Sequence, residues 1–367
     1  MFLPDFANKF LLTNAPALQS RNFRLFWFAQ IISSIGTALQ VVTEGWLIYQ
    51  VTESTLWLGL VGFFGLLPVV PVALLGGVLI DRVPRRKLLL LTQTGLLLQA
   101  AVFAWLVLSV EVGPWHITGM YFVFGALLAI DHPARRAFLV DLVPPDELAN
   151  AVALNASLFN VSHLVGYAIS GFLLAAIGAG GTMLLNALTY LAPVAALAAI
   201  RVADVGWDEK RPSLPTAVSE GFVTLWQKPA ILGVICLMAV VGGLAWPVFG
   251  MMPAFAETIM GVGAVGLGLL LAAGALGSLL GTVVVSRLGR TIQGRSLTWA
   301  SVLLPMMVML VAAANRMVLA LIFVMAVGVA LIVLQSLAVT LVQVHITDRV
   351  RGRVMSLYSM VHAGADT

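Results

Sequence analysis

Charge is scarce in this chain. Asp, Glu, Lys and Arg make up 10% of its 367 residues and hydrophobic residues 60%, against about 25% and about 45 to 50% in soluble domains. That balance excludes a soluble globular protein. The single cysteine, Cys236, leaves no intrachain disulfide framework. His116, His132, His163, His345 and His362 lie on separate segments without metal-ligand spacing, so no metal site is expected. A phosphate-cradling Gly-rich loop with its lysine is missing, which removes an ATP-driven pump. No basic domain is present for nucleic acid, and no short apolar core with a cleavage site suggests a signal peptide. A membrane enzyme would need nucleophile, base and orienting group at one depth, and the polar residues offer no such set. No cofactor and no catalytic residue are expected.

What the chain does have is apolar runs. They lie near 25 to 50, 56 to 80, 88 to 110, 116 to 134, 150 to 176, 181 to 200, 230 to 255, 264 to 286, 296 to 314 and 317 to 341. Each approaches the roughly 20 helical residues that cross a bilayer. Without period-two alternation they must be helices, since only helices and closed barrels satisfy their own backbone in lipid. The reading is an all-α polytopic bundle of ten full spans.

Of the twenty Lys and Arg residues, all but Arg316 fall in alternate gaps. They stand before the first span (Lys9, Arg21, Arg24) and after the second (Arg82, Arg85, Arg86, Lys87), fourth (Arg135, Arg136) and sixth (Arg201, Lys210, Arg211, Lys228). They recur after the eighth (Arg287, Arg290, Arg295) and tenth (Arg349, Arg351, Arg353). Positive charge stays on the cytoplasmic side during insertion, so these gaps and the N-terminus are expected inside. The net charge of +4 then reports topology in an inner, plasma membrane.

The longest polar interruption divides the chain into an N-terminal six-helix half (1–200), a cytoplasmic linker (201–229) and a C-terminal half (230–367). GGVLIDRVPR at Gly76 aligns with GTVVVSRLGR at Gly281, and FLVDLVPPDEL at Phe138 with TLVQVHITDRV at Thr340. Both pairs have nearly the same offset, which marks an internal duplication. A second half built like the first would continue beyond Thr367, so the C-terminal half reads as incomplete, with an eleventh helix beginning near Arg353.

The stretch from Gly76 to Lys87, GGVLIDRVPRRK, resembles the G-x-L-x-D-R-x-G-R-R/K signature of the major facilitator superfamily. Gly77, Leu79, Asp81, Arg82, Arg85 and Arg86 carry it, with Pro84 at the second glycine. The run DHPARRAFLVDLVPPDELANAVALN from Asp131 looks like the branch of enterobactin exporters and macrolide or drug to proton antiporters. Gly166 to Gly171 reads GYAISG where antiporters often carry G-P-x-x-G-G. The resemblance implies two pseudo-symmetric six-helix halves and a gating motif of Gly77, Asp81, Arg82, Arg85 and Arg86. Asp81 would latch onto the start of the eleventh helix, Arg351 to Arg353, at a helix N-terminus that favours an anion.

Polar residues inside the spans are expensive and mark function. Gln30, Ser33, Ser34, Thr37, Gln40 and Glu44 recur at steps of three to four on the first helix, hence on one face. With Asp131 and Arg135, Gln30, Ser34, Thr37, Gln40 and Glu44 form the expected substrate or proton pathway. Asp131 and Arg135, one turn apart, read either as a gate or as an i,i+4 pair at the mouth of the fourth helix. Ser162 with Gly166 and Ser170, and Gly274 with Ser278, mark close helix packing. The leading expectation is therefore proton-driven efflux of a small amphipathic molecule such as a drug or siderophore. Its partners would be that substrate, protons and the lipid bilayer, without nucleic acid. A lipid or lysophospholipid flippase, or an inactive truncated remnant or sensor, are the alternatives.

Overall fold

The computed structural model describes residues 15–69, 71, 83–202, 229–287 and 293–345. Among these there are eleven α-helices and no strands. In the first half they are α1 (Arg21–Thr52), α2 (Thr55–Leu66), α3 (Arg85–Ser109), α4 (Pro114–Leu142), α5 (Leu148–Thr189) and α6 (Leu191–Ala199). The second half holds α7 (Pro229–Gly250), the short α8 (Met252–Ala254), α9 (Gly263–Arg287), α10 (Gln293–Ala312) and α11 (Met317–His345).

Six of the described helical runs are long and apolar enough to cross a membrane, and Thr55–Leu66, Ile231–Val241 and Leu297–Ala312 are shorter apolar helices. One long run, Leu148–Ala199, is two crossings. It reverses at Gly178, where φ is 70° and ψ 179°, a conformation open essentially to glycine alone. Asn150 lies near Ala17 and Gly180 against Leu108, while the carbonyls of Leu197 and Ala198 return to Arg86. Each of the ten spans read from the sequence therefore coincides with helix over the residues that are described.

Local chemistry sets the helix ends. Ser20 caps α1, its hydroxyl accepting from Phe23 N–H while donating to the Leu142 carbonyl at 2.8 Å. Pro114 opens α4 at a position where its missing N–H costs nothing. Two ends of the bundle are distinguishable: one carries Glu53, Glu111 and Glu257, the other Arg85, Arg86 and Arg201. They are called here the acidic and basic ends. Large apolar side chains such as Leu56, Leu91, Trp105 and Met309 remain exposed around the outside, as a lipid-facing surface requires.

Small residues bring the helices together. A Cβ on Gly281 would meet Val329 Cα of α11 at 3.2 Å, and one on Gly274 would meet Val324 at 3.5 Å. Ser278 lies on the same seam, donating to the Gly274 carbonyl at 3.2 Å. The α9–α11 contact is thus the small-residue packing its sequence spacing suggests. In the first half, Gly166 packs on Ile35 and Ala38 of α1, and Ser162 reaches the Ile31 carbonyl at 3.5 Å.

Candidate functional site

The first node is Asp131. Its side chain is 0% exposed, and that of its ion-pair partner Arg135 only 4%. From α3, Thr92 Oγ1 and Gln93 Nε2 each donate to Asp131 Oδ1 at 2.7 Å, so both carboxylate oxygens are engaged. Ending the fourth span near 134 had put this pair at a rim. The helix end is corrected: α4 runs on through Pro133 to Leu142, and both side chains of the pair are buried. The helix continues because the two charges neutralise one another across one turn, and charge-assisted hydrogen bonds from α3 satisfy the acid.

The second node is on α1. Gln30, Ser33, Ser34, Gln40 and Glu44 are all buried and Thr37 nearly so, confirming one polar face. At its centre Gln40 donates to Glu44 Oε1 at 2.9 Å and to Gln99 Oε1 at 3.0 Å, and accepts from Asn186 Nδ2 at 2.7 Å. Gln99 passes the chain on to the Met120 carbonyl at 3.1 Å. Thr37 shares a hydrogen bond with the Tyr190 hydroxyl at 3.1 Å. The face therefore packs against α3 and the second arm of the α5 hairpin, within the first half. Glu44 Oε2, Ser34 Oγ and Gln30 Nε2 are buried without a hydrogen-bond partner among the described residues.

Of the motif residues, Gly77, Asp81 and Arg82 lie outside the described residues, as do Arg351 and Arg353. Arg85 pairs with Asp141 at the end of α4, 2.7 Å away. Arg86 donates to the carbonyls of Leu197 at 2.7 Å and Ala198 at 3.0 Å, so it caps the C-terminal end of α6, where the dipole favours a cation. Thr92, Gln93, Gln99, Asp141, Asn186 and Tyr190 escaped the sequence reading. Thr92 and Gln99 lie seven residues apart on α3, two turns along one face, and that was the available signal.

At the acidic end the halves seal. Tyr49 and Thr258 share a hydrogen bond of 2.5 Å, and Gln50 donates to Glu257 at 3.4 Å. The partner residues sit on a π-helical turn, Phe255–Ile259, that follows α8. Beside it α5 and α9 meet backbone to backbone: a Cβ on Gly171 would lie 2.9 Å from Val265 Cα, and one on Gly268 2.8 Å from the Tyr167 carbonyl oxygen. Val42, Trp46, Leu174 and Tyr167 join the apolar core of the second half. Among the described residues no group of three or more His, Cys, Asp or Glu is placed to hold a metal ion.

Beside this geometry, the chain is matched over residues 13–367 by the family model of transmembrane secretion effectors. The chain belongs to that family, a branch of the major facilitator superfamily. It is 26% identical over 172 residues to the staphyloferrin A transporter of Staphylococcus aureus, covering 47% of this chain and 43% of that protein. It is 23% identical over 232 residues to the multidrug efflux pump Tap of Mycolicibacterium fortuitum, covering 61% and 56%. The chain thus spans about half the length of the curated relatives it matches. A bacterial homologue of the human lysosomal transporter Spinster, crystallised inward-facing and unoccupied, superimposes with a TM-score of 0.71 at 17% identity, over 96% of this chain and 81% of that one. The fold is therefore that of a major facilitator, a multi-pass membrane protein. The family and these relatives are transporters, not enzymes.

Proposed function

We propose that this chain exports a small amphipathic molecule, drug-like or siderophore-like, in exchange for protons, by alternating access between residues 1–200 and 230–367 joined by the linker 201–229. The N-terminus and the basic end would face the cytoplasm, following the positive-inside rule. The efflux and siderophore relatives support the direction and the substrate class.

Glu44 carries the proton-coupling part of the reading. Its carboxylate is 0% exposed and bound through one oxygen only, to Gln40. Burying an acid in low dielectric costs very different amounts with and without its proton. Proton exchange at Glu44 would therefore bias whichever arrangement of helices admits water to it. The experiment is export from loaded proteoliposomes under an imposed pH gradient. Wild-type export that an uncoupler abolishes, and that Glu44→Gln loses while the protein stays folded, supports coupling there; export indifferent to the uncoupler removes it.

A second reading, a flippase of lipid or lysophospholipid, is favoured by one observation. A cleft with an almost wholly apolar lining opens between α5, α9 and α11, walled by Leu164, Leu269, Ala272, Leu276, Leu321 and Met325. Its chemistry suits an acyl chain. Uncoupler-insensitive movement of a labelled lysophospholipid is the result expected of it.

A further inference from the structure

Four rings line one wall of the first half. His132 of α4 and Phe159 of α5 stand 6.1 Å apart and edge to face at 72°; Phe159 and His163 follow at 6.4 Å, and His163 and Tyr167 stack at 5.6 Å with 25° between planes. The three α5 rings recur every four residues, so they form one stripe along the helix. Each spacing falls in the range aromatic pairs prefer.

This stripe faces inward. On one flank, Ser162 and Gly166 hold α5 against α1; on the other, Gly171 holds it against α9. Phe159 and His163 occupy the arc between, the same arc that His132 of α4 approaches. Even so, Phe159, His163 and Tyr167 remain only half-buried, and His132 is exposed. Part of each of these side chains is therefore left uncovered on this wall, away from the lipid-facing side of α5 where Val161 and Phe172 are exposed.

Charge at the His132 end is uneven. The charged groups near this imidazole are Asp131, Arg135 and Arg136. Arg135 is consumed by Asp131 in the buried pair. Arg136, one turn beyond His132 on the same face of α4, is exposed and has no carboxylate partner among the described ion pairs. The wall thus offers partly uncovered aromatic rings along its length and one surplus cation at its basic end.

The geometry points to a binding surface for a planar aromatic anion, its ring stacked on Phe159 and His163 and its acid group directed to Arg136. This deepens the transport reading and rests on it for the meaning of binding, but equilibrium binding needs neither gradient nor turnover. A flat ring offered to the stripe gains offset or edge contacts without hydrogen-bond selection, while the guanidinium selects the sign of its charge.

The test is pyrenesulfonate binding to the protein in nanodiscs, by fluorescence anisotropy, with ethidium as a flat cation of comparable extent. Saturable binding of pyrenesulfonate in preference to ethidium is expected, weakened about three- to tenfold by Phe159→Leu and about tenfold or more by Arg136→Gln, with Phe159→Tyr close to wild type. Leu keeps the apolar volume and removes only the π face, so a folded protein is tested; thermal unfolding of each variant verifies this. Preference for ethidium, no saturable binding, or equal affinity in Phe159→Leu overturns the assignment. If uncoupler-sensitive export persists while pyrenesulfonate fails to bind, the ring wall is wrong and the transport reading stands; binding without any export would strike the transport reading alone.

Discussion

Replacing one member of the Asp131–Arg135 pair separates a buried ion pair from a surface one in the same protein. Arg135→Ala leaves Asp131 without its cation at a position with 0% exposure. Breaking such a pair costs about 3–5 kcal/mol because a charge is left buried and uncompensated. Here the hydrogen bonds from Thr92 and Gln93, both 2.7 Å, survive the change, and charge-assisted bonds of that kind are strong. The expected loss is therefore at the lower end, about 3 kcal/mol. Asp131→Ala strands the guanidinium and also orphans the Gln93 donor, while Thr92 keeps the Leu89 carbonyl at 3.1 Å as its acceptor, so it falls at the upper end, about 5 kcal/mol. Arg85→Ala is the internal control: its pair with Asp141 is more exposed, 31% and 13%, and pairs of that kind contribute about 0.2–1 kcal/mol. Neutral Asp131→Asn combined with Arg135→Gln should recover much of the lost stability while leaving two amides able to bond. Unfolding in mixed micelles by denaturing detergent, followed by tryptophan fluorescence, gives the four values. If Arg135→Ala and Asp131→Ala cost no more than Arg85→Ala, the pair does not carry the buried charge assigned to it.

Further outcomes follow from the seal and the network. Gly171→Val drives a branched side chain into the backbone of Ala264 and Val265; it should lower the yield of a crosslink between cysteines placed at Tyr49 and Thr258 in a Cys236→Ser background, whereas Gly233→Ala, with open space around its Cβ, should not. Tyr49→Phe removes a hydrogen bond across the halves, worth about 1 kcal/mol, and should shift the balance of open and closed acidic ends about fivefold, read by thiol labelling there. Asn186→Leu leaves Gln40 Oε1 without its donor and should destabilise the fold by about 1–3 kcal/mol, measured by the same detergent unfolding.

Much of this architecture was legible in one dimension because lipid imposes it there. Spans are set by length and charge, and the alternate placement of Arg and Lys needs no knowledge of neighbours. The polar face of α1 was legible for the same reason: Gln30, Thr37, Gln40 and Glu44 share a helical period, and a helix displays its period whatever it packs against. Which helix would receive that face was not legible. Gln99, Asn186 and Tyr190 answer it, and their positions depend on how α3 and the α5 hairpin dock, a three-dimensional fact without local signature. Asp131 with Arg135 was visible as a pair one turn apart, but the end of its helix was misplaced because a polar cluster was taken to end the span, when the charges had cancelled in place. Arg86 read as a topology anchor and as part of a latch, and in the fold it holds carbonyls of α6, a role that requires knowing where residue 197 returns.

The reversal at Gly178 also bears on how this protein is made. Helices on either side of it are joined without a loop, and Gly178 alone supplies the φ of 70°. A nascent chain carrying such a joint emerges from the ribosome as two apolar helices that have nothing polar between them to hold in the aqueous channel. They are best delivered to the bilayer side by side, as one hairpin. A β-carbon at this point meets nothing within 4 Å, so Gly178→Ala would leave the finished packing unopposed and act through backbone strain, of order 1–3 kcal/mol. Its burden would fall at the moment of biogenesis, as slower membrane integration and earlier proteolysis of the newly made chain.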